Sequence, residues 1–171
     1  MDTLEETHLA RHFERIGARL QIERAEDAPR SRGRIMEPFT LDANEGDRGS
    51  REDAYVSRVR PQVYPDICFA VLDVRPKMRH LLLMARPLDG VPDAKERSRF
   101  LCGHDERHWF VAAVKNGQDA PTGVNEAMES LKPAGIARLQ HRMGVFARLW
   151  NRRKNPAFQR QGEWFFVLED A

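Results

Sequence analysis

Five residues that could do chemistry fall within one stretch of seven. In "FLCGHDERHWFVAAV" a thiol (Cys102), two imidazoles (His104 and His108) and two carboxylates (Asp105 and Glu106) follow one another closely. Histidine titrates near neutral pH, so His104 or His108 would serve as general acid or base. Asp105 or Glu106 would orient the imidazole, and Arg107 or Arg160 would stabilise developing negative charge. That set suits hydrolysis of a phosphodiester. A metal site needs converging ligands, and Cys102, His104 and His108 form C-x-H-x3-H. The order His-Asp-Glu-Arg-His displaces the glutamate by one place from H-E-x-x-H, so the zinc-protease pattern is not met. The plainer alternative is a charged hairpin loop with Cys102 facing a strand interior. No metal and no cofactor is called for by these residues.

The second source of chemistry is positive charge. From Arg138 to Arg160 there are seven basic residues and no acid. The apolar positions Ile136, Leu139, Met143, Phe146 and Trp150 step by three and four, the stripe of an amphipathic helix. On that helix Arg138, Arg142, Arg148, Arg152 and Arg153 face away from the stripe, with Lys154 and Arg160 following. Arginine presents a planar fork that grips phosphate. Together these seven residues read as a polyanion surface, with RNA or single-stranded DNA the expected partner. Trp150 and Phe158 would stack on unpaired bases if exposed, although Trp150 completes the apolar stripe and reads as core. A solvated basic face without a partner is the competing reading.

A third polar motif is "RQGEW", Arg160 to Trp164, with a turn at Gly162. If it lies beside "GHDER", the two loops make one polar cleft, the preferred place for any chemistry.

The elements that must position these groups can be read from periodicity. "DTLEETHLARHFERIG" reads as a helix, with Thr3 and Glu6 as a capping box, Leu4, Leu9, Phe13 and Ile16 as its stripe, and Gly17 as its stop. His8 and His12 share a face of it. "ARLQIER" reads as a short strand, Ile35 to Leu41 as an edge strand, and residues 42–53 as a mobile loop with little to bury. "DICFAVLDV" and "RHLLLMARP" form a hairpin around "RPKM". "RFLCG" and "HWFVAAV" form a second around "HDER". Asp66 and Asp73 near the first hairpin would pair with Glu106 as acids. "VNEAMESL" is a short helix stopped near Pro133, and a final strand runs from Trp164 to Leu168.

The chain has 171 residues, 41% hydrophobic and 32% charged, which suits one globular domain over residues 1–171. Its net charge of +2 is uneven: residues 1–53 carry 9 basic and 13 acidic side chains, residues 131–171 carry 8 and 3. There is no apolar run long enough for a membrane span, and the acidic start lacks the apolar region of a secretory signal. Two cysteines, Cys68 and Cys102, read as free thiols in a reducing cytoplasm. Phosphate-loop, dinucleotide and nucleophile-elbow motifs are missing.

The expected fold is therefore α+β: a largely antiparallel sheet with an N-terminal helix and a C-terminal amphipathic basic helix followed by a final strand. The expected function is small cytoplasmic nucleic-acid binding through the arginine-rich helix, as a component of a larger assembly. The alternatives are a nuclease-like phosphodiester hydrolase built on the Gly103–His108 loop, and a non-enzymatic interaction subunit with a protein partner. No membrane partner is expected.

Overall fold

The computed structural model describes residues 3–24, 39–44, 54–59, 67–87, 97–105, 109–161 and 164–167. The chain opens with helix α1 (Thr3–Arg15), which buries Leu9, Phe13 and Ile16 along its stripe. Gly17 stops it at φ 81°: its N–H reaches the Glu14 carbonyl at 2.9 Å, and the Ala18 N–H reaches that of Phe13 at 3.0 Å. This reverse turn satisfies two carbonyls that the helix leaves open, and glycine adopts it without a Cβ penalty.

Three sheets follow. In the first, β1 (Arg19–Arg24) pairs parallel with β3 (Ala54–Val59), which pairs antiparallel with β2 (Phe39–Asn44). Of the strand expected over residues 35–41, residues 39–41 are strand and residues 35–38 lie outside the described residues. Phe39–Asn44 is strand, so Asp42, Ala43 and Asn44 are not loop, because each pairs with β3. Residues 45–53 lie outside the described residues.

The second sheet is a four-stranded antiparallel meander of β4 (Ile67–Arg75), β5 (His80–Pro87), β6 (Ser98–His104) and β7 (Trp109–Val114). Alternate residues face opposite ways in a strand. Leu81, Leu83, Ala85, Cys102 and Trp109 therefore pack with α1 on one face. Leu82, Leu101 and Val114 pack on the other with Val124, Ala127 and Met128 of helix α2 (Val124–Ser130). Both expected hairpins are present, and β4 and β5 are joined by a single 3-10 turn, Pro76–Met78. Cys102 is fully buried and its thiol pKa is pushed up by that burial; Cys68 is partly buried, and both are free thiols.

A β-bulge interrupts β4 between Val71 and Asp73, so Asp73 pairs with Leu82 of the α2 face and Val74 with Leu81 of the α1 face. It also changes the role expected of Asp73. Its Oδ2 accepts the Val124 N–H at 3.0 Å and the Arg75 Nε–H at 3.0 Å, so it caps α2 from a strand 51 residues away. Asp66 and Glu106, its expected acidic partners, lie outside the described residues. Burial pulls the Asp73 pKa up, but the Val124 N–H and then Arg75 outweigh it, leaving the pKa below 3.8. Its contribution to stability is therefore present above pH 3.8 and lost as pH falls through the lower folded value. Asp73→Asn is expected to cost about 1 kcal/mol at pH 7 and less at pH 2, by urea unfolding at both pH values. Equal losses at the two pH values would show that the charge plays no part.

The C-terminal region has its own small core of Ile136, Val145, Ala157 and Phe158, with Leu139, Leu149, Trp150 and Phe165 packed against it. Helix α3 (Ala134–Arg142) ends well before the expected Trp150. Gly144 at φ 62° closes it as Gly17 closes α1, with Gly144 N–H to the His141 carbonyl at 3.1 Å and Val145 N–H to that of Gln140 at 3.0 Å. The basic helix therefore carries Arg138 and Arg142 alone. A 3-10 turn (Ala147–Leu149) carries Arg148, and the third sheet follows: β8 (Lys154–Asn155), β9 (Phe158–Gln161) and β10 (Trp164–Phe166), all antiparallel. No helix among the described residues is long and apolar enough to cross a membrane.

Candidate functional site

One end of the four-stranded sheet faces the C-terminal unit across a cavity of about 620 Å³. The sheet contributes the ends of three strands: His80 opens β5, His104 closes β6 with Asp105 just after it, and Phe110 lies near the start of β7. The 3-10 turn between β4 and β5 adds Lys77, Met78 and Arg79. The facing wall is Asn151, Arg152, Arg153 and Lys154, with Arg160 from β9 and Met128 from α2.

The facing wall is held by its backbone. The Arg160 N–H donates to the Arg153 carbonyl at 2.6 Å, and Asn155 Oδ1 accepts the N–H groups of Ala157 and Phe158 at 2.9 and 3.2 Å. This tight turn between β8 and β9 points Arg153 and Arg160 at the same cavity. Arg160 is only 5% exposed. Its guanidinium lies 5.8 Å from the Phe110 ring centroid and 5.5 Å from that of Phe165, so two aromatic faces hold it. Burial and Arg153 pull its pKa down, Asp105 pulls it up, and the result is about 10. Arg160 is therefore charged at neutral pH, inside the protein.

His80 is the other buried titratable group. Its Nδ1 sits on the Met78 carbonyl oxygen. A carbonyl only accepts, so Nδ1 carries the hydrogen and Nε2 keeps its lone pair. Burial lowers the His80 pKa to about 4, aided by Arg160, His104 and Arg153, against the opposing pull of the Met78 carbonyl. His104 meets the Trp109 ring edge-on at 4.8 Å.

Gly103 explains part of the "GHDER" motif. It pairs across the sheet with His80, and a Cβ there would sit 2.6 Å from His80 Cδ2 and 2.9 Å from Phe110 Cε1. Those atoms belong to rings fixed by packing. Gly103→Ala is expected to cost about 1–3 kcal/mol, lowering the midpoint of thermal melting by roughly 3–10 °C. An unchanged melting curve would mean that His80 can move aside freely.

Of the expected catalytic set, His104 and Asp105 line this cavity; Glu106, Arg107 and His108 lie outside the described residues. Of the expected phosphate binders, Arg152, Arg153, Lys154 and Arg160 line it. Arg138, Arg142 and Arg148 do not: Arg138 and Arg142 are exposed on α3, and Arg148 sits over the Phe146 ring at 5.5 Å. The "RQGEW" and "GHDER" motifs do meet, at Arg160, His104 and Asp105; Gly162 and Glu163 lie outside the described residues. His8 and His12 meet in a T-shaped contact on α1, with ring centroids 4.9 Å apart. No three metal-ligating side chains gather among the described residues.

Periodicity gives Lys77 only as part of a turn, and Arg79 and His80 only as the start of the returning strand. The signal was the run "RPKMRH", dense in positive charge at one sheet end. Arg79 has a structural task as well: its Nε–H donates to the Ile16 carbonyl at 3.3 Å at the end of α1, and its guanidinium lies 4.6 Å from the Trp109 ring centroid. Neither residue whose stacking depended on exposure is exposed, and Trp150 packs as the core residue that the apolar stripe implies. Phe158 is buried, and Trp150 is packed with its indole N–H donating to the Val145 carbonyl at 2.7 Å. Among the described residues the exposed large aromatics are Phe146 and Trp164, each 69% exposed, and Phe166. A second groove runs between Ile136, Leu139, Met143 and Phe165, and Arg142 also lines it.

No protein-family model, no curated protein and no solved structure matches the chain.

Proposed function

We propose that the protein binds single-stranded nucleic acid, RNA or DNA, with the cavity at the sheet end as the phosphate-gripping surface. One observation carries the reading. Six cationic side chains, Lys77, Arg79, Arg152, Arg153, Lys154 and Arg160, line one cavity against a single carboxylate, Asp105, among the described residues. Like charges so arranged repel, and a polyanion relieves that repulsion while releasing its own counterions. Trp164 on β10, paired with Gln161 next to Arg160, is an exposed ring on which a base could stack. The test is anisotropy of labelled single-stranded RNA and matched DNA at roughly 50 and 200 mM salt. Binding that falls steeply with salt supports the reading. No binding at the lower salt overturns it.

Phosphodiester hydrolysis is the second reading, favoured by His104 sharing the cavity with Asp105 and Arg160. His80, held near 4, is too weak a base to drive it at neutral pH. Cleavage of the bound oligonucleotide, lost in His104→Ala while affinity persists, would establish hydrolysis. Intact oligonucleotide after long incubation would exclude it.

A further inference from the structure

We propose that the inner end of the cavity, formed by His80, His104, Arg153 and Arg160, is a pocket for the terminal phosphomonoester of a nucleic-acid strand. The inference rests on the nucleic-acid reading and narrows it from any phosphate to a chain end. An internal phosphodiester carries one negative charge and two chain continuations that must leave the site. A terminal monoester carries up to two charges, offers three oxygens and has one continuation. A buried, pre-oriented arginine suits the second ligand. Arg160 is 5% exposed, lies 5.8 and 5.5 Å from the Phe110 and Phe165 ring centroids and feels the Asp105 carboxylate, so its position is set by the fold before any ligand arrives. Bidentate gripping of phosphate by such a fork loses little side-chain entropy.

Three further groups converge on the same place. Arg153 is tied to Arg160 through the backbone, and both arginines and His104 act electrostatically on His80. The His80 Nε2 keeps a lone pair and can take a proton when a dianion enters. Asn151 supplies a fourth, independent feature. Asn151 lines the cavity, and its Oδ1 is buried with no hydrogen-bond partner among the described residues. Such an acceptor calls for a donor, and a ribose hydroxyl or a base N–H beside the phosphate provides one. The cavity, about 620 Å³, falls within the range typical of small-ligand sites, so it can hold a terminal nucleotide.

The experiment compares internally labelled single-stranded RNA of one sequence with four end states: both ends hydroxyl, 5′-phosphate, 3′-phosphate, or both phosphorylated. The expected result is at least about tenfold tighter binding when one particular end carries phosphate. The responding end identifies which terminus enters. A mononucleotide bearing the same phosphate should then compete, and inorganic phosphate should compete more weakly. Equal affinity for all four RNAs, with salt-sensitive binding, overturns the pocket and leaves the nucleic-acid reading intact. No binding of any RNA overturns both. Arg160→Lys keeps the charge and removes the fork, so the ratio of affinities for phosphate-ended over hydroxyl-ended RNA should fall to about one. Because Arg160 is buried, Arg153→Gln provides a second variant, and melting of both variants reports their folding. Retention of the full preference in folded Arg160→Lys and in folded Arg153→Gln overturns the proposal.

Discussion

Replacing Arg152, Arg153 and Lys154 together by glutamine is expected to weaken binding of single-stranded RNA about a hundredfold at low salt, and to reduce the salt slope by about 2. Each phosphate contact on a single strand contributes roughly 0.7 to that slope, and three are removed. These residues are chosen because they line one cavity while remaining partly or fully exposed, so they can reach phosphate without being needed for the core. Folding should change little, since surface substitutions usually stay within about 0.5 kcal/mol. The control is Arg138, Arg142 and Arg148 replaced in the same way. It removes the same charge from outside the cavity and should cost less than about tenfold. Anisotropy titrations at several salt concentrations measure both triples. Equal losses would mean that net charge, rather than the cavity, carries binding.

Lowering the pH from 6.5 to about 4 is expected to withdraw roughly 3 kcal/mol of stability through His80 alone. The sign follows from protonation. In the unfolded chain His80 takes a proton near pH 6.5, whereas in the folded protein burial holds it neutral down to about 4. Between those values the unfolded state binds the extra proton, so acid favours unfolding. Above 6.5 the group is neutral in both states and the penalty vanishes. The charged groups acting on His80 from neighbouring elements are Arg153 and Arg160 on the facing wall, with His104 on β6, and all disfavour a second positive charge. His80→Gln keeps an amide N–H for the Met78 carbonyl and removes the titration. Urea unfolding at pH 7, 5.5 and 4.5 should give a shallower acid loss in the variant than in the native protein. Parallel pH profiles would show that His80 is not the group responsible.

The contrast between Gly17 and Gly144 shows how far local sequence reaches. Gly17 follows a helix whose apolar stripe ends at Ile16, so pattern and stop signal agree. Gly144 interrupts a stripe whose spacing continues through Phe146 and Trp150, and periodicity alone cannot tell a continued helix from one that ends in a turn. The structure resolves the conflict through packing. Val145, just after the turn, buries against Ile136 and Phe158, and the Gln140 side chain caps the Trp150 carbonyl at 3.0 Å. The same apolar residues are used, in a shorter helix folded back on itself. Asp73 gives a second case: its neighbours identify a strand end, but only the bulge and the approach of α2 make it a cap.

What the sequence by itself determined is the order and type of the main elements. Helix α1, both central hairpins, the short helix α2 and the final strand follow from local rules: apolar period, turn residues and caps. The buried cysteine and the positively charged C-terminal third are also properties of composition. What only the tertiary structure decided is which charges meet. Arg160 and Arg153 face His80, His104 and Asp105 because a two-strand turn docks against one end of the meander, joining residues from 77 to 160 in a single cavity. Arg138, Arg142 and Arg148, equally basic, are left outside it. Side-chain type records the chemistry available at each position, whereas convergence depends on contacts between segments far apart in the chain, which no local period encodes.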